Sequence, residues 1–104
     1  MRTYTFEANG STQTLKYGYN AICELEEASG KPIQALFSED SVGFSTIRLL
    51  LWAGLRWKNN GLTKQQVGFL CDELVENGTF QDVGKKAVEL LASSLGKGEE
   101  SVGE

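Results

Sequence analysis

Between Val42 and Lys58 the chain carries Phe44, Ile47, Leu49, Leu50, Leu51, Trp52, Leu55 and Trp57. At helical spacing this apolar set covers most of the circumference. A helix that is apolar on one stripe rests on a surface, whereas one that is apolar nearly all round is wrapped by other elements. The stretch therefore predicts a central helix, ended by Asn59-Asn60-Gly61, with the rest of the chain packed about it. At 104 residues there is material for one hydrophobic core and not for two. The longest uninterrupted apolar run, Leu49 to Leu55, is far shorter than the ~20 residues of a membrane span.

Turn and cap signals divide the flanking sequence. Tyr4 and Phe6 alternate with polar residues in Arg2–Glu7, Asn9-Gly10 suits a two-residue turn, and Thr12–Tyr17 can return as a second strand. Two strands alone are marginal in water, so the hairpin must pack on helices. From Tyr19 the period becomes helical, with Tyr17, Ala21, Leu25 and Ala28 on one face and Gly30 as the stop. Pro32 opens a short helix through Phe37, and Ser38-Glu39-Asp40-Ser41 offers caps for the central helix. Thr63 and Gln66 read as a capping box before Val67, Leu70, Cys71 and Leu74, with Asn77-Gly78 closing that helix. Thr79 with Asp82 reads as the next cap, before Phe80, Val83, Ala87, Leu90 or Leu91, and Leu95. The expected fold is mainly α (α+β): an N-terminal β-hairpin packed on a bundle of four to five helices around one central apolar helix. Residues 1–96 are expected to form one domain, and 97–104, with a single apolar residue, a disordered acidic tail.

Catalytic chemistry finds little support. The chain has no histidine, the commonest general base and metal ligand, so Ser41 or Cys71 would lack an activating imidazole. Glu24, Glu26 and Glu27 read as a solvated helix face, and Cys23 and Cys71 as two reduced core thiols. Gly54 and Gly68 fall inside helical patterns, where they permit close helix packing rather than phosphate binding. The expectation is no enzyme, no cofactor and no metal. A net charge of −4 also argues against nucleic-acid or anionic-membrane binding, which draws on clustered Lys and Arg. The first ten residues carry no apolar leader, and the expected location is the cytoplasm.

Charge is nevertheless unevenly placed. Residues 1–41 carry −3 and 61–104 carry −4, while 42–60 hold Arg48, Arg56 and Lys58 with no acid, +3 on the central helix. Arg48, Trp52 and Arg56 are spaced four apart and share a stripe, with Trp57 at its edge. Arg and Trp are the side chains that most often anchor protein interfaces, so these four residues are the candidate protein-binding set. The competing reading puts Trp52 in the core, with the arginines laid over it or paired with Glu73, Glu76 or Glu89.

The order of segments also resembles a known family. A hairpin precedes Glu24-Leu25-Glu26-Glu27-Ala28-Ser29-Gly30-Lys31-Pro32. Then come Leu50-Leu51-Trp52-Ala53-Gly54-Leu55-Arg56, Leu62-Thr63-Lys64-Gln65-Gln66-Val67-Gly68, and a last helix around Lys86-Ala87-Val88. Over residues 4–95 this is similar to the tail assembly chaperones of long-tailed bacteriophages and gene transfer agents. The resemblance implies a non-enzymatic helper in the bacterial host cytoplasm. It would bind and solubilise the tape measure protein and bring tail tube subunits to it, oligomerising around that client. It also implies a longer, frameshifted form, for which Gly96-Lys97 is the candidate slippery pair. Two other readings stand beside it. One is a structural tail or connector protein; the other is a small helix-turn-helix regulator over Leu62–Leu91, with Lys85 and Lys86 on its second helix.

Overall fold

The computed structural model describes residues 2–37 and 43–95. Two strands come first, β1 (Tyr4–Ala8) and β2 (Ser11–Leu15), followed by helices α1 (Tyr19–Ser29), α2 (Ile33–Phe37), α3 (Phe44–Leu55), α4 (Lys64–Asn77) and α5 (Phe80–Ser94). The strands pair antiparallel, from Tyr4 opposite Leu15 to Ala8 opposite Ser11. Asn9 (φ 57°) and Gly10 (φ 73°) both take positive φ, the backbone of the turn whose twist matches a two-residue hairpin. The architecture is the expected one, an α+β bundle with an N-terminal hairpin. The caps proposed in Ser38–Ser41, residue Val42 at the start of the central helix, the Gly96-Lys97 pair and the acidic tail lie outside the described residues.

The second strand ends two residues early. Lys16 N–H turns to the carbonyl of Gly54 in α3 (2.9 Å), so the chain leaves the ladder to dock on the central helix. Tyr17 then buries its ring and donates its hydroxyl to the Leu50 carbonyl at 2.7 Å. α3 packs against α1, α4, α5 and β2, and Ile47, Leu50, Leu51, Ala53 and Leu55 enter one continuous core. Two glycines set how close its neighbours come. A Cβ on Gly54 would lie 2.8 Å from Leu15 Cδ2 and 2.9 Å from Tyr17 Cζ, and one on Gly84 of α5 would lie 2.9 Å from Ile47 Cδ1. Gly54 thus serves the approach of the hairpin rather than of another helix. Gly68 has only ordinary room, with Arg48 Cδ at 3.7 Å.

Helix ends follow the sequence signals with two exceptions, and the first is α3, which stops at Leu55 with Arg56 as its C-cap instead of running on to Lys58 and the Asn59-Asn60-Gly61 stop. Gly30 and Gly78 close α1 and α4 in the left-handed conformation, their N–H groups returning to Glu26 and to Leu74 and Val75. Thr63 and Gln66 form the reciprocal capping box of α4. Thr79 does not cap α5. It alone separates Gly78 from Phe80, and its ψ of 1° keeps it out of the extended conformation a cap needs. Its hydroxyl and N–H both turn back to the Leu74 carbonyl. Ala28, expected on the inner face of α1, is exposed, because α1 meets α3 through Ala21 and Leu25 nearer its start. Among the described residues no helix is long and apolar enough to cross a membrane.

Candidate functional site

The cationic segment found in the sequence converges on the carboxyl end of α3. Trp57, just beyond that end, donates its indole N–H to the Thr14 carbonyl of β2 at 3.0 Å, and the residue stays 46% exposed. The ammonium groups of Lys16 and Lys58 lie 4.7 Å and 5.8 Å from the ring centroid. Trp52, one turn earlier and half-buried, donates its indole N–H to the Leu62 carbonyl at 3.0 Å. Two cations attend it as well: the Arg56 guanidinium at 4.9 Å and the Lys64 ammonium at 5.5 Å. Each tryptophan is therefore fixed by its polar edge to a backbone carbonyl and covered by two positive charges.

Arg56 joins this face to α1. Its Nη2 donates to the Asn60 carbonyl (3.0 Å), and its Nε lies 3.7 Å from Glu24 Oε1, too long for a hydrogen bond. The Nε itself is buried without an acceptor. Beside it opens a cleft of about 390 Å³, walled by the amino end of α1 from Gly18 to Ala21, by Lys16, and by Arg56 and Trp57. Gly18, the N-cap of α1, brings no side-chain acceptor to that wall, and no acidic residue occupies the first turn. Glu24 is the one carboxylate lining the cleft. Tyr19, at its rim, is 83% exposed.

Of the four residues singled out in the sequence, Trp52, Arg56 and Trp57 come together, and Arg48 is set apart. Arg48 is exposed at the other end of α3, where it lines a groove of about 350 Å³ with Phe44, Cys71, Asp72, Val75 and Phe80. The Phe44 and Phe80 rings meet there at 5.3 Å. The competing reading was right about Arg56, which does lie over Trp52, but its carboxylate partner is Glu24. Glu73 instead accepts the Asn9 N–H (2.7 Å), and Glu89 pairs with Lys86. The three glutamates of α1 are not one solvated face. Glu26 accepts the Ile33 N–H (2.8 Å) and fixes the α1–α2 joint, and Glu27 is exposed.

Sequence reasoning missed Lys16 and Lys64. Lys64 was open to discovery, since it follows the Thr63 cap at the point where α4 returns past Trp52. Lys16 was not, because only the docking of the hairpin brings it to Trp57. Cys23 and Cys71 are free thiols, half-buried rather than core, and burial raises the pKa of the Cys71 thiol. Among the described residues no Cys, Asp and Glu side chains gather as a group that could hold a metal ion. No family model matches the chain, and no curated protein or solved structure matches it either.

Proposed function

We propose that this chain is a non-enzymatic assembly factor of the tail-chaperone type. In this reading it binds a long, aggregation-prone helical client, the tape measure protein, keeps it in solution in the bacterial cytoplasm and brings tail tube subunits to it. Self-association around the client belongs to the same reading.

One observation carries it. The end of the central helix presents two tryptophans and four cations to the surface instead of a sealed apolar contact. Trp and Arg are the commonest interface anchors, and each indole here is already oriented by its own hydrogen bond, so little order would be lost on binding. Tyr19, Phe44 and Phe69 are more than half exposed around the same bundle, which adds apolar surface for a helical client. The choice of client rests on the resemblance of the segment order to that of tail assembly chaperones.

The test is co-expression with a tape measure protein of a long-tailed bacteriophage as the candidate client, followed by co-purification from the soluble fraction. A client that is insoluble alone and soluble in complex is the expected result. The double substitution Tyr19→Ser with Trp57→Ser should then lower the recovered client several-fold while the variant keeps the parent's helical circular dichroism. A client that stays insoluble while this chain elutes alone would sink the reading.

A further inference from the structure

We infer that the tryptophan face takes an acidic segment of a partner polypeptide, with carboxylates meeting Lys16, Lys58 and Lys64 and apolar side chains resting on the open part of Trp57. The inference rests on the protein-binding reading above and gives that surface its chemical selectivity.

Charge complementarity is the ground for it. Lys16, Lys58 and Lys64 pair with no carboxylate among the described residues, and Arg56 has only the distant Glu24. An indole face orients a cation but does not neutralise it. Four positive charges and one negative therefore remain around the two tryptophans at the end of α3, in a chain whose net charge is −4. The field of such a patch selects for negative charge. Arg56, which lines the cleft, keeps a buried Nε with no acceptor, so no hydrogen-bonded carboxylate within the fold discharges its guanidinium. The half-exposed Trp57 ring beside these charges calls for an apolar group in the same ligand, which a peptide provides. Nucleic acid fits less well. A polyanion needs a basic track, and here Glu24 lines the cleft while the flanking segments 1–41 and 61–104 carry −3 and −4.

The probe is a fluorescein-labelled helical peptide of about five turns (about 18 residues) built of Glu, Leu and Ala, compared with the same peptide carrying Gln for every Glu. Fluorescence anisotropy should show the Glu peptide binding about tenfold or more tightly than the Gln peptide, with the preference shrinking as salt rises. K16E/K58E should abolish that preference. K58E/K64E serves the same purpose if the first variant loses its circular dichroism spectrum. Equal binding of the two peptides overturns the inference, as does full Glu-peptide binding by a folded charge-reversed variant, or tighter binding of a single-stranded oligonucleotide of equal charge. Failure here with the client still co-purifying leaves the protein-binding reading standing. Peptide selectivity without a soluble client complex separates the two in the other direction.

Discussion

The two sides of α3 are built on different principles. On one, Ile47, Leu50, Leu51 and Gly54 are buried against the hairpin and α5, and the spacing is set by the absence of a Cβ at Gly54 and Gly84. On the other, Arg48, Trp52, Arg56 and the following Trp57 are half-buried or exposed, and their neighbours are reached through long side chains. A contact fixed by backbone proximity has one geometry, because nothing in it can swing aside. A contact made by Arg, Lys and Trp can re-pack around a ligand while its polar tips keep their partners. The fold is therefore rigid where the hairpin meets α3 and adaptable where α3 faces solvent.

The sharpest way to break this contrast is Gly54→Ala. The new methyl would meet Leu15 Cδ2 at 2.8 Å and, less avoidably, the Tyr17 ring at 2.9–3.0 Å, which its hydroxyl bond to Leu50 holds in place. Alanine's helix propensity returns about 1 kcal/mol. Overpacking against a pinned ring costs more, and the net loss should be about 2 kcal/mol. A melting curve should then shift down by roughly 10 °C for a domain this size. A variant as stable as the parent would show that α3 can slide on the hairpin, and the rigid side would lose its distinction.

Tyr17→Phe tests the same side through the buried hydrogen bond of the Tyr17 side chain. Loss of the hydroxyl to Leu50 should cost about 1 kcal/mol near neutral pH. Burial also raises the Tyr17 pKa above its ordinary value, so the folded chain holds this proton more tightly than the unfolded one. That stability is fully present below the unfolded pKa of about 10 and is lost above it at about 1.4 kcal/mol per pH unit. The phenylalanine variant has no such proton. Denaturant midpoints measured at about pH 8 and about pH 11 should favour the parent first and then converge. A gap that stays constant would mean that the phenol ionises in the folded state without penalty.

The contrast also explains which parts of the molecule the sequence made legible. The central helix, the Thr63–Gln66 box and the two glycine stops are local signals whose partners lie within a few residues. The Thr79 cap failed although its signal looked the same. The left-handed Gly78 just before it leaves no room for an extended residue, and spacing alone does not record that. At the candidate site the +3 segment marked the helix end where Trp52, Arg56 and Trp57 gather. The clustering depends on tertiary contacts with no local trace: Lys16 arrives with the hairpin, Glu24 with α1, and Arg48 is left two turns away. Even the meaning of Gly54 was half visible, as a close approach whose partner was the hairpin.

Gly68→Ala probes the adaptable side and should have the opposite sign. Gly68 lies within α4, its backbone helical, and a Cβ there would meet only the Arg48 side chain, with Cδ at 3.7 Å and Nη1 at 4.0 Å. That is van der Waals contact rather than collision, and the arginine stem is free to adjust. The substitution removes glycine's excess freedom from the unfolded chain and adds helix propensity, together about 0.5–1 kcal/mol of stabilisation. The expected rise in melting temperature is a few degrees, roughly 4 °C. Made in the same background as Gly54→Ala, it gives two identical chemical changes, each inside a helix, with opposite outcomes. A destabilised Gly68→Ala would mean that α3 and α4 are packed on this side as tightly as the hairpin is on the other, leaving no slack for Arg48 or the tryptophans to re-pack around a client.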